Sequence, residues 1–210
     1  MKTIRPILLV ALVALTGCFS LSREVPPVRF YVLGGTWPAT GTPAGLTDAP
    51  ASPLAGRSIG LRQLQLAEYL ATPLLVVREG PHQITFSEFH QWGEDLDGGI
   101  NRAVAGYLAA GAPFQSVNVA PWQPQAQYDF LIQLHLSCFE GVAPEGEAHL
   151  LAAWEIIRQR DGAVLARGTT DYRTPGWTVG DYDGLVALLD TGLGVLTNDL
   201  VASLGTLVAP

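Results

Sequence analysis

From Tyr128 to Phe139 the chain alternates with a period of two. Tyr128, Phe130, Ile132, Leu134, Leu136 and Cys138 fall on one side, and Asp129, Gln133, His135 and Ser137 on the other. Successive side chains of a strand point to opposite faces, so this pattern specifies a strand with one buried and one solvated face. Such a strand needs partners, and the sequence supplies them directly. Ala148 to Gln159 and Ala163 to Tyr172 read as a hairpin about Arg160-Asp161-Gly162. Asp-Gly suits that place because tight hairpin turns demand positive φ. Together these runs predict a three-strand antiparallel meander. The alternation also sets Cys138 on the apolar side, as a buried and inert thiol.

The segments before the meander read as smaller pieces. Val28 to Leu33 is a strand, and Arg57 to Leu66 is a second one with a slip in phase. Leu74 to Arg78 and His82 to Phe86 form a hairpin across Glu79-Gly80-Pro81. Phe89, Trp92, Leu96, Ile100, Val104 and Leu108 recur every three or four residues, which predicts a helix, weakened or broken at Gly98-Gly99. Phe114 to Val119 is another strand. The last element is a helix over Tyr182 to Leu204, with Leu185, Leu189, Leu193, Leu196, Leu200 and Leu204 in one stripe and Asp181 as its cap. The expected fold is α+β: a mostly antiparallel sheet with two amphipathic helices packed on one face.

The N-terminus fixes where this domain works. Lys2 and Arg5 precede an apolar run, Ile7 to Leu15, too short to span a bilayer. Leu15-Thr16-Gly17-Cys18 follows, a lipobox in which small residues flank the cut and the thiol of Cys18 accepts a diacylglycerol. Residues 1–17 are read as a lipoprotein signal peptide and 18–27 as a lipidated tether. Residues 28–210 are read as a single periplasmic α+β domain with a Pro/Gly/Ala-rich loop at 36–56. Phe19, in place of an Asp, favours sorting to the outer membrane. Cleavage removes Lys2 and Arg5, leaving ten of the 12 basic residues against 19 acidic ones, a net charge near −9. An acidic domain of this kind is no partner for nucleic acid or for anionic headgroups.

Catalytic and metal signatures are sparse. The sequence has no GxSxG and no Walker A motif. His82, His90, His135 and His149 never take metal-ligand spacing on one helix. His135 and His149 could face each other on neighbouring strands, but they read better as exposed strand histidines. Glu94 to Gly99 could be read as a partial calcium loop, but it lacks the third acidic position and the terminal Glu of an EF-hand and reads better as acids at a helix start. The expectation is therefore no catalytic residue, no metal and no cofactor. Trp92 and Trp154 sit in patterned elements and read as core. Trp122 and Trp177 sit in loops, where they either touch a partner or fold back as plugs.

Residues 57–108 carry a resemblance. The segment LRQLQLAEYLATPLLVVREGPHQITFSEFHQWGEDLDGGINRAVAGYL resembles the PqiC (YmbA-like) family of ABC-type transport auxiliary lipoproteins. Tyr69-Leu70, Pro73, Arg78, Phe89, Trp92, Glu94 and Leu96 match its pattern. So do Tyr31 to Leu33, Cys138-Phe139-Glu140, Leu150 to Trp154 and the lipobox. The chain departs from the pattern at Ala71-Thr72, Gln91 and Asp95. The resemblance implies a non-enzymatic, outer-membrane-anchored auxiliary component of an MCE/ABC-type system that moves lipid or other hydrophobic compounds between membranes. It implies a membrane tie through the lipid, an MCE-domain protein and a permease as partners, and room for a homo-oligomeric ring. Tyr69 and Arg78 join Trp122 and Trp177 as positions for partner or ligand contact. A lipid-binding carrier and an assembly chaperone for an outer-membrane complex are the alternatives.

Overall fold

The computed structural model describes residues 26–35 and 52–208. The signal peptide, Cys18, most of the tether, Trp37 and most of the 36–56 loop lie outside the described residues. Among the described residues, nine strands form one mixed, curled sheet: β1 Arg29–Tyr31, β2 Ser58–Leu61, β3 Gln65–Leu66, β4 Leu74–Gly80, β5 Gln83–Trp92, β6 Ser116–Val119, β7 Phe130–Val142, β8 Glu147–Arg158 and β9 Val164–Pro175. Two helices, α1 Leu96–Gly111 and α2 Tyr182–Val208, pack with the sheet around a single apolar core, and a 3₁₀ turn covers Glu68–Leu70. The fold is α+β, as the sequence pattern predicts.

Strand β7 organises the sheet. One of its edges pairs with β8 along its whole length. The other edge takes β2 at Phe130–Ile132, β3 at His135–Leu136 and β4 at Gly141–Val142 in succession. These three run parallel to β7, as β1 does to β5 and β6 to β2. The long pairings β7–β8, β8–β9 and β4–β5 are antiparallel. Hydropathy alternation sets which face a residue takes and is blind to strand direction, so the parallel pairings were not visible in it. The phase slip in 57–66 is physical: it is the break between β2 and β3.

Asp129 fastens β2 to the start of β7. Its carboxylate accepts from the Ser58 N–H at 2.8 Å, the Ser58 hydroxyl at 2.9 Å and Arg57 at 3.2 Å. Burial pushes its pKa up, but these donors outweigh that and hold it below the ordinary carboxylate value. A lowered folded-state pKa means the unfolded chain takes up the proton first as pH falls. The clamp therefore contributes its full stability above the ordinary Asp value of about 3.9 and loses it progressively as pH falls below that value and through the lower folded-state pKa. Asp129→Asn is expected to flatten the acid limb of stability against pH, measured by urea titration from neutral pH downward.

The helix expected from Phe89 begins only at Leu96 and runs unbroken through Gly98 and Gly99. Phe89 and Trp92 belong to β5, which pairs with β4 on one edge and β1 on the other. Two sets of ladder hydrogen bonds override a chance three-residue spacing. The hairpin turn is correspondingly shorter, since Gly80 pairs directly with Gln83. The β8–β9 turn has one left-handed residue, Gly162 at φ +70°. The loop is closed from Arg158 to Ala163, around the expected Arg160-Asp161-Gly162, with the positive φ at its glycine.

Helix α2 matches its pattern closely. The six stripe leucines, Leu185 to Leu204, are all buried against the sheet, and Asp181 caps the helix by accepting the Gly184 N–H at 3.0 Å. By length and composition α2 could cross a membrane, but its apolar stripe is the core of this domain. The core is tightly fitted at Trp154. A Cβ built on Gly168, opposite it on β9, would lie 2.1 Å from the indole. Gly168→Ala is expected to destabilise by about 1–3 kcal/mol, the usual cost of overpacking, as read by denaturant midpoint.

Candidate functional site

The C-terminal half of β7 changes phase. Between Leu136 and Cys138 the pairing with β8 slips by one residue. Before the slip Phe130, Ile132, Leu134 and Leu136 face the core; after it Phe139 does. A bulge of this kind turns the following side chains over. Cys138 therefore leaves the apolar face on which its alternation placed it. It is half-buried on the opposite face, two residues from Glu140.

Glu140 is the centre of that face. It has no exposed surface, yet it carries a carboxylate on the side of the sheet away from the main core. An isolated buried charge is costly, so partners are required. Arg78, brought alongside by the parallel β4–β7 pairing, donates Nε–H to Oε1 at 2.5 Å. The Tyr69 hydroxyl, from the 3₁₀ turn, lies 3.0 Å from Oε2 and 2.9 Å from the Ser137 carbonyl. Burial and the neighbouring carboxylate keep Tyr69 protonated well above the ordinary tyrosine value. Hydrogen bonding to Glu140 raises the Arg78 pKa further.

On β8, His149 pairs directly with Glu140 and is itself buried. Its Nε2 lies 3.0 Å from Asp171 Oδ1 on β9. Burial, and then the Arg173 charge, lower its pKa and favour neutral imidazole. Arg173 lies within ion-pair distance of both Glu147 and Asp171. The Cys138 thiol is pushed up by burial and by Glu140, so it is held protonated rather than activated as a nucleophile.

Sequence reading placed Tyr69 and Arg78 as contact positions without relating them, and the fold brings both onto Glu140. It missed Glu140 and His149 as site residues. His149 is not the exposed strand histidine expected, and it does not face His135, which lies opposite Ala153 and beside Gln65. Trp177 is a plug. It is 4% exposed, stacks where a Cβ on Gly141 would sit, and donates its indole N–H to the Asp181 carbonyl at 2.9 Å. Trp122 is at the far end of β7, half-buried and edge-on to Tyr128 with ring centroids 5.1 Å apart. Trp92 and Trp154 are core, as their patterns indicated.

Next to the 3₁₀ turn is a cleft of about 390 Å³, lined by Leu64, Leu66, Ala71, Thr72, Pro73 and the start of α1 at Asp95 to Asp97. Ala71, Thr72 and Asp95 are positions where the sequence leaves the pattern of the family it resembles. They are scattered in sequence and gather round one opening.

The family model described as the ABC-type transport auxiliary lipoprotein component matches residues 40–201. The chain belongs to this family. The match takes in every strand after β1, helix α1 and most of α2, and so the whole Tyr69–Arg78–Glu140–His149 face. The fold is also similar to that of a Xanthomonas campestris protein of known structure. That pair has a TM-score of 0.62 and 16% identity, covering 76% of this chain and 90% of the other. A second solved structure, of an uncharacterized protein, has a TM-score of 0.62 and 18% identity over 73% of this chain and 95% of its own. At these identities the likeness is one of fold. No curated protein matches the chain in sequence.

Proposed function

We propose that this lipoprotein is a non-enzymatic auxiliary component of an MCE/ABC-type system moving lipid or other hydrophobic compounds between membranes, tied by Cys18 to the periplasmic face of the outer membrane. The observation that carries this reading is membership of the transport auxiliary lipoprotein family across residues 40–201. The lipobox and Phe19 support the anchor and its membrane. The mechanism is geometric: the lipid holds one end, and the folded domain offers a surface to a periplasm-spanning MCE protein and, through it, to the permease. The surface proposed for that contact is the cleft beside Tyr69, because Ala71, Thr72 and Asp95, three of the four positions that depart from the family pattern, line it and are free to match one particular partner. Assembly of several copies into a ring belongs to the same reading.

The test is genetic. Deleting the gene is expected to raise permeability of the envelope to a hydrophobic dye, and the full chain is expected to restore it. Unchanged permeability after deletion would overturn the transport reading. Native mass spectrometry of the protein separates it from a lipid carrier, which would retain a stoichiometric lipid in the domain.

A further inference from the structure

We infer that Cys138, Glu140 and His149 form a zinc site on the face of the sheet opposite the helices. A thiol sulfur, a carboxylate oxygen and an imidazole nitrogen from these residues all lie within 4.8 Å of one another. They come from adjacent strands held in fixed register, with Glu140 paired to His149 and Cys138 to Leu151. Thiolate, imidazole and carboxylate together are the donor set of zinc rather than of magnesium or calcium. Around a tetrahedral zinc, such donors stand about 3.3–3.6 Å apart, from the usual metal–ligand distances. Closing the trio asks for roughly 1 Å of side-chain movement, within reach of small rotations about χ angles.

Three further features favour the ion. First, Asp171 holds His149 Nε2 at 3.0 Å, leaving Nδ1 for the metal. A carboxylate on the second nitrogen is the arrangement that fixes and strengthens an imidazole ligand. Second, the charges balance. With His149 neutral and Cys138 a thiol, the cluster holds Glu140, Asp171 and Glu147 against Arg78 and Arg173, one negative charge in excess. Zinc adds two positive charges and displaces the thiol proton to solvent, which brings the cluster to neutrality. Third, Arg78 need not leave. It engages Glu140 Oε1, whereas Oε2 shares the Tyr69 hydroxyl with the Ser137 carbonyl, so Oε2 can turn to the metal while Tyr69 keeps its backbone partner. Cys138, half-buried, is the point of entry, and solvent completes the coordination.

The experiment uses the full chain purified from membranes in detergent, without a histidine tag, stripped by chelator and titrated with Co²⁺. One ion per chain is expected, with a thiolate-to-cobalt charge-transfer band that Zn²⁺ abolishes by displacement. Cys138→Ser should remove the band, and Asp171→Asn should weaken affinity by about tenfold or more, the usual cost of losing a ligand's supporting carboxylate. In the unaltered chain Zn²⁺ should also slow alkylation of Cys138, located by peptide mass spectrometry, which needs no variant to fold. A titration without the charge-transfer band, a band that survives Cys138→Ser, or alkylation unaffected by Zn²⁺ would each overturn the site.

Discussion

Arg78→Ala is expected to lower folding stability by about 3–5 kcal/mol, the range seen when one partner of a buried ion pair is removed. The reason is asymmetric burial. Glu140 has no exposed surface, while the Arg78 side chain is 27% exposed. The variant loses the solvent-touching partner and strands the buried one. Water entering the vacated space softens the loss, so the lower half of the range is the expected value. Arg78→Lys should recover only part of it, because an ammonium at the end of a flexible stem does not reproduce the fixed Nε–H donor. The double variant Arg78→Met with Glu140→Leu removes both charges and should lie closer to the unaltered protein than Arg78→Ala does. Urea denaturation of the three variants measures this directly. A loss under about 1 kcal/mol for Arg78→Ala would mean that Glu140 is not held as described.

Cys18→Ala is expected to abolish attachment while leaving the domain folded. A single acyl chain gives marginal membrane binding and two or more give stable anchoring, at about 0.8 kcal/mol for each buried CH₂. The net charge near −9 left after cleavage repels anionic headgroups and offers no substitute for the lipid. The variant should therefore move quantitatively from the membrane to the soluble fraction, with an unchanged circular dichroism spectrum, and should fail to restore the permeability barrier. Full complementation by Cys18→Ala would show the anchor to be dispensable.

The parts of the fold that could be read from sequence share one property: their signal is local and periodic. The alternation from Tyr128 and the leucine stripe of α2 each repeat often enough to outweigh noise. Phe89 and Trp92 fit a helical spacing only by chance, and what makes them strand is pairing with β1, distant in sequence, and with β4. Cys138 was placed on the wrong face because a bulge adds one residue without changing composition. The site was the least legible part. Glu140 meets Arg78, 62 residues away, through a parallel strand pairing and Tyr69, 71 residues away, from the 3₁₀ turn, and no spacing within either segment encodes that. Resemblance did mark Tyr69 and Arg78, though not what joins them. Trp177 had two readings, and a glycine opposite it on β7 decided between them.

On the proposed function, this lipoprotein works by contact with a transport partner. In-cell crosslinking from a photoreactive residue at Thr72, in the cleft beside Tyr69, followed by mass spectrometry, tests it most directly. The expected result is capture of an MCE-domain protein or its permease, lost when Cys18 is replaced. Reproducible capture of an outer-membrane barrel or secretin subunit, with no MCE protein or permease, would contradict it.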